Sequence, residues 1–391
     1  MKELKIFLLL VFSAWVPSSS FTISNQFNSR TKSSSRSIQA TTQQEVDATT
    51  ATSASKPSIA IIGSGAVGCY YGARLYETNQ YNVKFFMRNE HYTASTTNGL
   101  NVTSIHGDVF IPPEKLMAYD DIEEMGKTDW VILCLKSTGI DCVPELVVPL
   151  LKEDKSTRVL VIMNGLVDED VIRLIEGYQE DEKDLKLTKC TVYGGMALLC
   201  SNRIRPGHID HSYAGKLTAS LAKANDENNE DNHRDAMLNL WKPTQGFEFV
   251  YDDNLVRARW SKNLWNLPFN GISVAMNGIT VDQIVNDPGL RKLAYRVMDE
   301  TLAVANTDLS VRGFSEKEYL GEVERAAMMQ LSDDMGPYKT STMLDLVNRR
   351  KMEVKYVFRK AVDRANELGV EVPTLDTLVT QIEFLQRKYN L

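Results

Sequence analysis

Cysteine is scarce in this chain: five residues among 391, an odd number, with none of the spacings of a metal-ligand set. That excludes a disulfide scaffold and gives no metal site to look for. Cys69, Cys134, Cys142, Cys190 and Cys200 read as core residues of a reduced compartment. Positive charge is not in excess either. A net charge of −7 gives no reason to expect nucleic acid or a stable membrane association as a partner. The apolar run from Ile6 to Val16 falls short of the roughly 20 residues that cross a bilayer. No internal repeat is evident. What is present is an ordinary globular composition, 43% hydrophobic and 24% charged. The length exceeds what one core fills and suggests two domains with an extension.

The extension lies at the start. Lys2 and Lys5 precede the Ile6–Val16 run, and Ser18, Ser19 and Ser20 follow it, the order of a signal peptide over residues 1–20. The stretch from Phe21 to Gln44 has no acid, carries Arg30, Lys32 and Arg36, and is rich in Ser and Thr, as transit peptides are. Signal followed by transit-like segment (residues 21–56) resembles the bipartite presequence of algae with complex plastids, so a plastid address is expected. Secretion followed by a disordered linker is the alternative, and the missing disulfide pattern argues mildly against it. Gln43 to Pro57 is polar and reads as disordered.

From residue 57 the texture is regular. Ser58–Ile62, Asn82–Met87, Trp130–Leu135 and Val159–Met163 read as buried-type strands, and Thr191–Tyr193 as the start of another. Helix-compatible segments separate them. This predicts an α/β fold, a Rossmann-type doubly wound parallel sheet over residues 57–252. After Asp253 long helical patterns take over: Leu290–Ala305, Glu316–Leu331 and Glu353–Leu368, the last closed by Gly369. Residues 253–391 are therefore expected to form an all-helical C-terminal domain. The acid-rich run Lys223–Asp235 reads as a solvated loop.

Ile61-Ile62-Gly63-Ser64-Gly65-Ala66-Val67-Gly68 is a G-x-G-x-x-G between a strand and a helix, the context that gives this short pattern its weight. Gly63 permits the tight turn, Gly65 lets a pyrophosphate approach the backbone, and Gly68 lets helix and strand pack. The free N–H groups and dipole of the helix start then hold the diphosphate. Ser64, Ala66 and Val67 complete that turn. At the end of the second strand, where an NAD enzyme carries an acid, stands Arg88, which suits the 2′-phosphate of NADPH/NADP. Glu90, two residues on, is the only competing acid nearby. Lys136 and Asn164 fall at the carboxyl ends of their strands, the edge where such sheets bind ligands.

Lys262, Asn266 and Asn270 are spaced to share one helix face among Trp260, Leu264, Trp265, Leu267 and Phe269. Asparagines in apolar surroundings need partners, and a ligand could supply them. A solvated polar stripe is the alternative. Pro268 lacks the N–H that would bond Leu264, so a kink or an early end is expected there. Glu353 lies near the apolar face of its helix, either a favourable charge at a helix start or part of a buried site.

Taken in order, the Gly63 turn, Arg88, Cys134-Leu135-Lys136, Asn164-Gly165, Pro206-Gly207-His208 with Gly215, Lys262–Asn266–Asn270, Thr342-Met343-Leu344-Asp345-Leu346 and Glu353 resemble the ketopantoate reductase (2-dehydropantoate 2-reductase) family. The resemblance runs from Pro57 to about Leu385. It implies reduction of a small 2-keto acid, ketopantoate, to pantoate with NADPH, on the route to pantothenate and coenzyme A. It makes Lys262 the general acid and Glu353 the acid that helps hold the substrate and the site, including its cofactor side. It gives Asn266 and Asn270 to the substrate hydroxyl, Thr342 to the substrate carboxylate, and Lys136 and Asn164 to the nicotinamide end. One departure is a segment from Met343 to Glu353 one residue shorter than usual. A homodimer stays open. Two rivals remain: a related dehydrogenase acting on another keto, hydroxy or phosphate substrate, for which only Arg257 and Arg259 offer a basic cluster near Lys262, and an NADPH-binding sensor without catalysis.

Overall fold

The computed structural model describes residues 56–181, 190–225 and 230–391. The expected signal segment (1–20), the expected transit-like segment up to residue 55, and residues 226–229 of the acid-rich run lie outside the described residues.

The strands are β1 (Ser58–Ile62), β2 (Asn82–Phe86), β3 (Leu100–Ser104), β4 (Val109–Ile111), β5 (Met117–Tyr119), β6 (Trp130–Leu133), β7 (Arg158–Ile162), β8 (Thr191–Arg205), β9 (His208–Lys223) and β10 (Phe249–Tyr251). They form one sheet in the order β4-β3-β9-β8-β7-β6-β1-β2-β5, with β10 beside β9. From β5 to β8 every pairing is parallel. The side-chain period of two explains why these strands are apolar throughout. In β1, Ile59 and Ile61 enter one buried cluster while Ala60 and Ile62 enter the cluster on the opposite face. Trp130 and Ile132 part from Val131 and Leu133 in the same way, as do Leu160 and Ile162 from Val159 and Val161. A sheet buried on both faces requires this. Helix α1 (Ala66–Glu77) covers the first face with Cys69, Tyr70, Tyr71 and Leu75. A second helix, α2 (Asn89–Asn98), follows β2. Helix α3 (Asp168–Asp181) covers the other face with Val171 and Ile175. Because β2 and β6 flank β1, the strand order reverses at β1/β6, and ligands of such sheets bind in the crevice this opens at the carboxyl edge.

The strand expected to start at Thr191 does start there, but it runs on as one arm of a long antiparallel hairpin, β8 and β9, turned at Pro206–Gly207 with Gly207 at φ +75. No single period marked it. β8 is buried through Met196 and exposed from Asn202, and β9 places His211 and Gly215 at inward positions. The acid-rich run is not all loop, since α4 (Glu230–Trp241) begins inside it and buries Met237, Leu240 and Trp241.

Beyond Asn254, whose side chain caps the next helix by accepting from Arg257 N, the chain is helical. The elements that matter are α5 (Leu255–Trp265), α6 (Pro288–Val311), α7 (Glu322–Asp333), α8 (Ser341–Val347), α9 (Lys360–Leu368) and α10 (Pro373–Lys388). They enclose a core of their own built on Trp260, Leu264, Phe269, Met298 and Phe358. The expected helix Glu316–Leu331 is a short turn, Glu316–Glu318, and then α7, separated by extended backbone at Gly321. Among the described residues no helix is long and apolar enough to cross a membrane.

The helical half meets the sheet through charge. All three acids in the first turn of α3 reach across: Asp168 to Arg259, Glu169 to Arg312 and Asp170 to Lys360. Residues 56–391 form one compact unit.

Candidate active site

The Gly63 turn sits at the strand-order reversal. Gly63 has φ +88, and a Cβ there would lie 2.7 Å from the carbonyl carbon of Cys134, just past β6. A Cβ on Gly68 would press on the Gly63 carbonyl oxygen. At Gly65, by contrast, a Cβ would meet nothing within 4 Å. Gly65 is the N-cap of α1, has no side-chain cap bond, and no acid follows in the first turn. Backbone N–H groups facing open space, with no carboxylate against them, fit a dinucleotide diphosphate. Ser64 is buried and its hydroxyl donates to Ile61 O. Ala66 and Val67 pack against the sheet's core. Arg88 is exposed as the N-cap of α2, with Asn89 at φ +53 and Glu90 exposed beside it.

Lys136 and Ser137 follow β6, and two carboxylates of the helical half grip them. Lys136 Nζ donates to both oxygens of buried Asp345, at 2.5 and 2.6 Å. Glu353 Oε1 accepts from Ser137 N at 2.7 Å and from Ser137 Oγ at 3.0 Å. Glu353 is thus buried and its carboxylate engages Ser137, although its carbonyl opens its own helix by accepting from Val357 N; the expected Glu353–Leu368 helix begins with a wider π turn, Lys355–Arg359, before α9. Asn164, just past β7, is half-buried; the next residue, Gly165 at φ +87, lies against the Tyr356 backbone, which accepts from Leu166 N.

Lys262 reaches from α5 to the sheet, where its Nζ donates to Ala197 O of β8. Burial, and after it the Arg259 guanidinium, push its ammonium down to about 8, against the opposing pull of Cys200 and Glu353. The kink expected at Pro268 is a π turn over Asn266–Asn270. One added residue in the turn accommodates the proline's missing N–H without ending the helix. Asn270 Nδ2 donates to Asn266 Oδ1 at 3.3 Å, and Asn270 Oδ1 accepts from Thr342 N at 3.2 Å and Ser341 Oγ at 3.4 Å. Thr342, in the first turn of α8, is buried beside them. The Asn266 Nδ2 is buried and has no protein partner, an orphan donor of the kind that marks a missing ligand.

The structure therefore brings Glu353 to Ser137 and Asp345 to Lys136, couples Glu353 electrostatically to Lys262, and joins Asn266, Asn270 and Thr342. Arg88 stands apart, at the far end of the dinucleotide edge.

The chain matches the family model described as "Ketopantoate reductase PanE/ApbA" over residues 59–223 and its C-terminal counterpart over 254–386. It belongs to the ketopantoate reductase family. It is 31% identical, over 83% of its length and 94% of the relative's, to a 2-dehydropantoate 2-reductase of Nostoc sp.. A solved 2-dehydropantoate 2-reductase from Geobacter metallireducens superimposes with a TM-score of 0.72 at 31% identity, covering 84% of this chain and 99% of that one. A D-mandelate dehydrogenase, solved with NADH and anilino(oxo)acetate, shares the fold with a TM-score of 0.70 at 21% identity, over 85% of this chain and all of its own.

Some residues of the site escaped the sequence reading. Asp345 stood inside a quoted motif, yet nothing in its spacing pointed to Lys136. Ser137 is marked only by following Lys136. Neither of the two cations named for a phosphate substrate is available: Arg257 is engaged by Glu318 O and Glu324, and Arg259 is buried and fully bonded.

Proposed function

We propose that this chain reduces 2-dehydropantoate to pantoate with NADPH. The observation that carries the reading is Lys262, a half-buried ammonium pushed down to about 8 and placed one turn from the orphan amide of Asn266. Bound NADPH supplies the hydride; the protein supplies geometry and charge. As the carbonyl carbon gains hydride, negative charge grows on its oxygen. Lys262 answers that charge and gives the oxygen a proton, completing the alcohol. Glu353 opposes the desolvation of Lys262 and so helps keep it protonated. It also fixes Ser137 beside Lys136. Asn266 Nδ2 is free to donate to the substrate hydroxyl, with Asn270 orienting Asn266 through its side-chain amide. Thr342, whose backbone N–H donates to Asn270, suits the carboxylate. On the cofactor side, Arg88 suits a 2′-phosphate, which favours NADPH over NADH.

Lys262 and Asn266 have different tasks, so their variants should differ in kind. Lys262→Ala should lower kcat by roughly 100-fold or more, the usual worth of a general acid. Asn266→Ala removes a contact present in the ground state too, so its cost should appear mainly in KM. Cofactor binding, followed by fluorescence, should survive both. Near-normal kcat for Lys262→Ala with ketopantoate would overturn the assignment.

A further inference from the structure

We propose that the buried Arg259–Asp168 pair is a positioning element of this site, setting how Lys262 stands relative to the carboxyl end of β7. The inference rests on Lys262 being the proton donor. Arg259 lies one turn before Lys262 on α5. All five of its N–H donors are used. Nε and Nη2 grip Asp168 at 2.7 and 2.6 Å. Nη1 donates to Met163 O at 2.6 Å and Gly195 O at 3.2 Å, and Nη2 to Val161 O at 3.3 Å.

Those acceptors define a geometry. Val161 and Met163 bracket the end of β7, and Met163 is the residue before Asn164. Gly195 lies on β8, two residues before Ala197, the carbonyl that Lys262 holds. Arg259 and Lys262 thus span from one helix to the same strand, while Arg259 alone also fixes β7 and the first turn of α3. A guanidinium's rigid fork makes this a fixed spacing, which a flexible ammonium could not reproduce. The sheet leaves room for it: a Cβ on Gly194 would lie 2.5 Å from the movable Leu255 Cδ1 at the start of α5, 2.7 Å from Asp168 Oδ1 and 3.2 Å from Arg259 Nη2.

The pair also sets the field at Lys262. The groups that face its ammonium are Arg259 from its own helix, Cys200 and the Ala197 carbonyl from β8, and Glu353 from the segment before α9. Cys200 is itself hydrogen-bonded with Tyr338. Arg259 lowers the affinity of Lys262 for its proton, and Asp168 partly neutralises Arg259.

Three variants of the full protein test this: Gly194→Ala, which crowds the pair but keeps its charges, Asp168→Asn and Arg259→Met. We expect kcat to fall in all three, by roughly 100-fold where the clamp is broken, as for other small misplacements of a reacting group. The NADPH KM should change little. The high-pH limb of kcat, where Lys262 loses its proton, should stay in place for Gly194→Ala, move to lower pH for Asp168→Asn and to higher pH for Arg259→Met. A merely structural pair would lower Tm and leave kcat and the limb of the folded protein unchanged in Gly194→Ala and Asp168→Asn; that result overturns the proposal even if Arg259→Met does not fold. A 13C titration of labelled lysines, with the Lys262 signal identified by its loss in Lys262→Ala, reads the field of the pair directly. Normal kcat in Lys262→Ala would sink the donor role, whereas an unmoved Lys262 titration in Asp168→Asn would sink the clamp.

Discussion

At the Gly63 turn the chain offers backbone; at Lys262 it offers side chains. The turn works by what is missing: no Cβ at Gly63 or Gly68, open space at Gly65, no acid in the first turn of α1. Across the site, Lys136 meets Asp345, Glu353 holds Ser137, and Arg259 spends every donor. A diphosphate is recognised by oriented N–H groups that need only local sequence. A proton donor needs a charge held in low dielectric, which only several paired neighbours from distant segments can hold.

The same contrast runs through the two halves of the fold. All five histidines precede residue 252. Burial above all, with the charge of Arg203, pushes His91 down to about 4, and burial with His106 does the same for His211. His91 Nδ1 accepts from Gly207 N at 3.0 Å, a bond that a protonated Nδ1 could not make. The helical half is held instead by Arg–carboxylate pairs. Burial alone would raise Asp308, but hydrogen bonds from Trp260, Arg312 and Arg364 outweigh it and hold it low.

Acid should therefore separate the halves, and this is the largest effect expected. Both histidines bind protons more weakly in the folded state than in the unfolded chain. Their stabilisation is complete above the ordinary histidine pKa of about 6.5 and is lost as pH falls through 4. Asp308 is lowered, so its contribution persists until pH drops below the ordinary carboxylate range. Hydrogen exchange at pH 7 and pH 4.5 should show protection lost first in residues 56–225 and kept longer in 255–391. Loss of the helical half first would break the comparison.

A smaller effect separates two glycines of the same turn. Gly63→Ala must place a Cβ at positive φ against the Cys134 backbone. Strain and overpacking together should cost about 4 kcal/mol. Gly65 has φ −80 and open space, so Gly65→Ala should leave Tm nearly unchanged. It should still raise KM for NADPH and NADH alike, because its methyl occupies the diphosphate's approach. Equal losses of Tm in the two variants would show that the turn is packed, not shaped for a ligand.

How much was legible follows the same division. The Gly63–Gly68 pattern, the apolar parallel strands and the Gly369 stop obey rules a few residues long, and each could be read directly. Lys262, Asn266 and Asn270 could be singled out because polar residues interrupt an apolar stretch. The proline among them announced a kink, but not that a π turn would absorb it. The long hairpin stayed hidden because its burial changes along β8. Arg259 could be read only as one half, with Arg257, of a basic cluster for a phosphate substrate. Its five acceptors lie between 64 and 98 residues away, and no local pattern encodes a partner at that distance. Asp168, Glu169 and Asp170 carry no local mark either, because acids are favoured at any helix start. Helix-dipole complementarity explains them fully until the helical half is placed above them.

The smallest expected effect tests the dinucleotide edge at its far end. Arg88 touches none of the groups around Lys262 and is exposed beyond β2. Its removal should leave fold, kcat and the diphosphate grip intact. What it can change is the choice of cofactor, since a guanidinium gains a charge-assisted contact only if a 2′-phosphate is there to receive it. Arg88→Ala should raise the NADPH KM by roughly 10- to 100-fold, the worth of one or two such bonds. The NADH KM should hardly move, in contrast to Gly65→Ala, which penalises both. If Arg88→Ala weakens the two cofactors equally, the residue serves the turn between β2 and α2 and not the phosphate. No preference for NADPH would then be expected, since the backbone donors of the Gly63 turn have no means of telling the two cofactors apart.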